Sequence, residues 1–137
     1  MKKRAYLVLP ILALAVTYGF TALAADLPAP IHLRTEYVEN PRGVDTAVPR
    51  FSWWMQHNER NQTQTAYEIV LTDTAADCGD DGLSQAAPFW RSGKVASPNS
   101  VHVEYAGLPL ESRKQYFWQV RTWDAQDRPS AWSTVAS

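Results

Sequence analysis

A chain of 137 residues with 13 basic and 14 acidic side chains has a formal net charge of −1, six tryptophans and a single cysteine. That length supports one packed core. No Lys/Arg cluster follows Arg4, which argues against a nucleic-acid partner, and Cys78 standing alone rules out an internal disulfide.

Met1-Lys2-Lys3-Arg4, an apolar run from Ala5 to Leu23 and the small-residue end Ala22-Leu23-Ala24 predict a helical secretory signal peptide over 1–24. The expected product is exported, to the periplasm or beyond, with no membrane association after cleavage. A membrane anchor is the alternative, since the run approaches the roughly 20 apolar residues a span needs. Losing Lys2, Lys3 and Arg4 moves the net charge from −1 to −4.

Residues 25–30 form an extended, proline-bearing lead, and 31–137 are expected to make one domain. IHLRTEYV, 31–38, sets Ile31, Leu33, Thr35 and Tyr37 against polar neighbours and predicts a strand. The 39–50 stretch gathers Asn, Pro, Gly and Asp and predicts a loop. RFSWWM, 50–55, puts Phe51 and Trp53 inward and Trp54 outward. After the polar connection 56–64 comes TAYEIVLTD, 65–73, with Tyr67, Ile69 and Leu71 on one face. The small, acidic 74–88 segment is a surface loop, and FWRSGKV, 89–95, a short strand ended by Ser92-Gly93. SVHVEY, 100–105, groups Val101, Val103 and Tyr105. QYFWQVRTWD, 115–124, is the longest alternation, with Tyr116, Trp118 and Val120 on one face and Trp123 on the other; AWSTVAS closes the chain. Strands at this spacing without helical periodicity predict an all-β, antiparallel sandwich of about seven strands, of immunoglobulin or fibronectin type III type. A closed barrel is the alternative. Leu110, Ser112 and Tyr116 have the spacing of a tyrosine corner, in which a phenol ties back to nearby backbone. The predicted core is Phe51, Trp53, Tyr67, Ile69, Leu71, Val101, Val103, Leu110, Tyr116, Trp118 and Val120.

Read together, Pro49-Arg50-Phe51-Ser52-Trp53, Gln64-Thr65-Ala66-Tyr67, Trp90-Arg91-Ser92-Gly93-Lys94-Val95, Tyr105-x-Gly107-x-Pro109-Leu110, Trp123-Asp124 and Ser130-x-Trp132-Ser133 give a more specific signal. The chain resembles, over about 30–136, the N-terminal fibronectin-type-III-like domain of bacterial α-L-rhamnosidases of glycoside hydrolase family 78. The resemblance implies an accessory module ahead of further β-sandwiches and a helical barrel that bears the catalytic acids. It also implies an amino-terminal fragment, a truncated reading frame or a split gene, with the downstream domains as partners.

The residues themselves offer little chemistry. Glycoside hydrolysis needs two carboxyl groups roughly 5–10 Å apart, one of them kept protonated. Glu68 and Glu104, on adjacent predicted strands, are the better candidates, yet surface solubility explains them more simply. His32, His57 and His102 lie far apart in the chain, and no nucleophile elbow or phosphate loop occurs. Asp77-x-x-Asp80-Asp81-Gly82 departs from a calcium loop at Gly79 and Pro88, and Asn61-Gln62-Thr63 lies in an already polar loop. No catalytic residue, cofactor or metal is expected. The remaining candidates are Trp54, Trp123 and Trp132, for docking against a neighbouring domain or for stacking rhamnose-containing glycans. A free-standing adhesion domain is a third possibility.

Overall fold

The computed structural model describes residues 27–78 and 89–137. The predicted signal peptide and most of the acidic segment after Cys78 lie outside the described residues. Among the described residues no helix is long and apolar enough to cross a membrane.

Among the described residues seven strands form two antiparallel sheets: β1 (Ile31–Thr35), β2 (Arg50–Trp54), β3 (Ala66–Thr72), β4 (Trp90–Arg91), β5 (Val95–Ala96), β6 (Val103–Glu104) and β7 (Phe117–Trp123). The first sheet has the order β1-β2-β6. The second is centred on β3, which pairs with β7 from Ala66↔Trp123 to Thr72↔Phe117 and with both β4 and β5 along its other edge. The predicted 89–95 strand is thus two short ones, because Gly93 adopts φ 65° between them. Glycine takes that left-handed conformation at little cost.

The layers meet on Leu33, Phe51, Trp53, Ile69, Leu71, Val103, Tyr105, Trp118, Val120 and Ala136, with Tyr67, Leu110 and Tyr116 packed partly buried against them. The Phe51 and Trp118 rings lie 4.5 Å apart. Both indole N–H groups in this core are satisfied: Trp53 Nε1 donates to Gln64 Oε1 at 2.9 Å and Trp118 Nε1 to Thr35 Oγ1 at 3.2 Å. The tyrosine corner forms as its spacing predicts, with the Glu111 amide donating to the Tyr116 hydroxyl at 3.0 Å.

Val101 is a correction. It is 54% exposed, because His102 takes φ 58° and that left-handed step breaks the alternation that would have put Val101 beside Val103. His32, at φ 52°, accompanies a register shift in β1 and leaves Ile31 outside while Leu33 is buried. Glu36 and Tyr37, both at positive φ, make the tight turn closed by paired Thr35 and Val38 hydrogen bonds. Two successive positive φ angles are the signature of a type I′ hairpin turn, and here they bring Tyr37 out to 56% exposure.

The closing segment is not a regular strand. Ser130, Ser133 and Ala136 donate their amides to the carbonyls of Thr122, Val120 and Trp118. Three residues of this segment therefore advance for every two of β7. At the two bulges the serine hydroxyl takes the place of a ladder carbonyl, accepting from the Thr122 and Val120 amides at 3.0 Å each. Each hydroxyl also donates to the next carbonyl, of Ala131 and Thr134. Ser92 repeats the arrangement on β3, accepting from the Ile69 amide at 2.8 Å and donating to Gly93 O. This accounts for the Ser130-x-Trp132-Ser133 and Ser92-Gly93 marks. Ser133→Ala is expected to leave the buried Val120 amide unpaired and cost about 1–3 kcal/mol, read as a lower urea midpoint at unchanged slope.

Gly107 has a packing role. A methyl at its Cα would overlap the Tyr105 phenol and approach Trp90 Cδ1, where the Tyr105 and Trp90 rings meet edge to face and the phenol donates to Leu108 O. Gly107→Ala should cost about 1–3 kcal/mol through overpacking, visible as a fall in thermal midpoint.

Candidate functional site

Three places carry enough chemistry or exposed apolar surface to act: the buried carboxylates, a groove at one end of the sandwich, and the two outer sheet faces.

Glu68 and Asp124 are the buried carboxylates among the described residues. Glu68 lies on the outer side of β3, between Arg121, which gives two bonds to Oε2 at 2.9 and 2.7 Å, and Arg91, 3.2 Å from Oε1. Asp124 follows β7 and locks the turn after it. Its Oδ1 accepts the Gln126 and Arg128 amides, each at 2.9 Å, and its Oδ2 accepts Arg128 Nε at 2.7 Å and His57 Nε2 at 3.2 Å. The Glu59 amide donates to His57 Nδ1, which places the imidazole proton on Nε2, facing Asp124. Burial alone would raise the carboxyl pKa of Asp124. The bonds from the Arg128 amide, His57, the Arg128 guanidinium and the Gln126 amide outweigh it and lower the value from 3.8 to about 2. A carboxyl so held donates no proton at neutral pH. Glu104, the other carboxyl weighed in the sequence, is exposed on β6 in the opposite sheet from Glu68, so the two share no cleft.

The groove, about 1100 Å³, runs between the 40–47 loop and the 110–116 segment down to Phe51, Leu71 and Trp118. Its bordering side-chain carboxylates, Asp45 and Glu111, are both exposed. No group of three His, Cys, Asp or Glu side chains suited to a metal occurs among the described residues.

The outer faces differ sharply. On the four-stranded sheet Trp123 is only 7% exposed, which corrects the expectation of an open indole. It does point outward, as the alternation predicts. However, its ring is covered by the Arg121 guanidinium at 4.9 Å and the Lys94 ammonium at 4.8 Å. Arg121 lies as close, 4.8 Å, to the partly buried Trp132 ring. One guanidinium thus serves two indoles and a carboxylate, an arrangement in which cation–π attraction and ion pairing reinforce each other.

On the three-stranded sheet a guanidinium, Arg50, lies over Tyr37 at 5.1 Å and leaves Trp54 uncovered. Trp54 is 56% exposed, touched at one side by the His32 ring at 4.5 Å. Ser52 Oγ, on the same face, accepts the His102 amide at 3.3 Å, and the His102 ring meets Tyr37 edge to face at 5.2 Å. Ile31 and Val101 add 36% and 54% exposed aliphatic surface. Glu36 pairs with Arg50 at 2.7 Å, and Glu39 with the His32 ring at 3.0 Å and with Arg34 at 3.9 Å, while Glu104 on β6 is exposed. The Arg50 guanidinium beside Glu36 lowers that carboxyl's pKa. Of the three tryptophans the sequence singled out, only Trp54 presents an open surface. The sequence reading did not single out Asp124 or the Arg121 stack; the Trp-Asp pairing at 123–124 was their one visible trace.

Comparison with known proteins agrees with this architecture. The family described as "Rha78A-like, N-terminal immunoglobulin domain" matches residues 30–137. An alpha-L-rhamnosidase of Streptomyces avermitilis is 47% identical over 98 residues, 72% of this chain and 9% of that protein. One from Formosa agariphila is 39% identical over 101 residues, 74% of this chain and 10% of its own length. The solved alpha-L-rhamnosidase of Dictyoglumus thermophilum superposes with a TM-score of 0.70 at 39% identity over 79% of this chain and 12% of that one. The Streptomyces avermitilis enzyme complexed with L-rhamnose gives 0.70 at 42% over 79% and 10%. The chain spans about a tenth of the length of these curated relatives. A two-sheet aromatic sandwich, a tyrosine corner and a family match over almost all described residues lead to one assignment: this chain belongs to the Rha78A-like N-terminal immunoglobulin domains.

Proposed function

We propose that this chain is a non-catalytic accessory module of an exported α-L-rhamnosidase, with the remaining domains of that enzyme as its partner. The family assignment and the names of its relatives support the parent activity. The signal-like first 24 residues support export. The observation that carries the non-catalytic reading is the use of both buried carboxylates as anchors for arginines, Glu68 by Arg91 and Arg121, Asp124 by Arg128. A glycosidase needs one carboxyl held protonated and a second at reaction distance; these two are both held in ion pairs. The purified chain incubated with an aryl α-L-rhamnoside should release no phenol. Turnover that scales with protein concentration and survives repurification would overturn the reading.

A further inference from the structure

We infer that the outer face of the β1-β2-β6 sheet, centred on Trp54, is the surface on which the rest of the α-L-rhamnosidase polypeptide docks. This rests on the accessory-module reading and specifies which surface it uses. The argument starts from the contrast between the two outer faces. Arg121 and Lys94 cover the indoles of one, whereas on the other Ile31, Trp54 and Val101 remain open and Tyr37, though Arg50 lies over its ring, stays 56% exposed.

The exposure is built in by the backbone. His32 and His102 hold left-handed φ angles of 52° and 58°, a conformation that strains residues with a Cβ. Each turns an aliphatic neighbour, Ile31 or Val101, away from the core. Each also lays its own ring on the same face, His32 against Trp54 and His102 against Tyr37. Ordinary alternation would have put both aliphatic side chains inside, at a gain in buried apolar area. Strain that exposes apolar surface marks a place where a second surface completes the packing.

Two observations choose the occupant. The patch of Ile31, Tyr37, Trp54 and Val101 is a few side chains wide, which suits the modest interfaces between domains of one chain. A tether raises effective concentration enough for such a patch to stay closed, and about nine-tenths of the relatives' length lies outside this module. Of the nearby charges, Glu36 pairs with Arg50 and Glu39 with Arg34 and the His32 ring, while exposed Glu104 lies opposite Arg50 in the register. The two signs nearly balance on this face, so the partner surface is mainly apolar, with no cluster of compensating charge.

The test grafts this chain in place of the matching segment of the Streptomyces avermitilis α-L-rhamnosidase and compares hydroxyl-radical footprints of the chimera and the free chain. Trp54, Tyr37 and Val101 should lose reactivity several-fold in the chimera. Trp54→Asp should restore the reactivity of Tyr37 and Val101 without lowering the melting temperature of the free chain. Protection confined to the groove between the 40–47 loop and the 110–116 segment, or to the Arg121–Trp132 face, would overturn this assignment and leave the accessory role standing. No protection anywhere on the module would overturn both. Protection of Trp54 in the free chain that rises with its concentration would assign the face to a second copy and contradict the inference.

Discussion

Trp118→Ala should lose about 3–5 kcal/mol of folding stability, the usual cost of emptying a large aromatic from a packed core. The side chain is 1% exposed, 4.5 Å from the Phe51 ring, and its Nε1 donates to Thr35 Oγ1. Its removal therefore opens a cavity between the sheets and leaves a buried threonine hydroxyl without that donor. Domains of this size have about 5–15 kcal/mol in total, so the variant should sit near its unfolding threshold at 37 °C. Urea unfolding followed by far-ultraviolet circular dichroism measures it; a loss below about 1 kcal/mol, far under the cost of a core cavity, would mean that the sheets do not meet on this residue.

Asp124→Ala should be the most damaging polar substitution, at about 3 kcal/mol. It strands the Gln126 and Arg128 amides and the His57 ring together, and leaves the Arg128 guanidinium only its outer partners Glu59 and Gln126. The same carboxylate gives the protein an acid limit. Its folded pKa, about 2, lies below the ordinary 3.8, so its contribution is fully present above about pH 4 and is lost as pH falls toward 2. Allowing for solvent screening at the partly exposed Arg128, that contribution is on the order of 1–2 kcal/mol. Thermal midpoints of wild type and Asp124→Asn across pH 2–6 should converge as the acid limb is descended. Parallel curves would show that Asp124 carries no such linkage.

Much of this molecule was written in its alternation. Phe51, Trp53, Ile69, Leu71, Trp118 and Val120 are buried as predicted, and Tyr116 forms its corner. What escaped has definite physical causes. Val101 was assigned inward because period two assumes an unbroken extended backbone, and no side chain announces that His102 is left-handed. Trp123 is covered rather than open because Arg121, two positions earlier on the same face of β7, folds over its ring and Lys94, from the turn between β4 and β5, is brought over it only by the folded sheet. The hydroxyl roles of Ser92, Ser130 and Ser133 leave no trace in the alternation, since a hydroxyl replacing a carbonyl in a ladder depends on the partner strand's register. Asp124 gives no sign of burial in the sequence, because one of its partners, His57, is remote in the chain.

The side chains suited to sugar chemistry, the other indoles and the buried carboxylates, are committed to holding the domain together, and the open indole of Trp54 is proposed to meet protein. The most direct measurement is a tryptophan fluorescence titration of the chain with L-rhamnose and a rhamnose-terminated oligosaccharide. The account predicts no saturable change at any concentration reached. A saturable response abolished by Trp54→Ala would contradict it and make this face a carbohydrate platform.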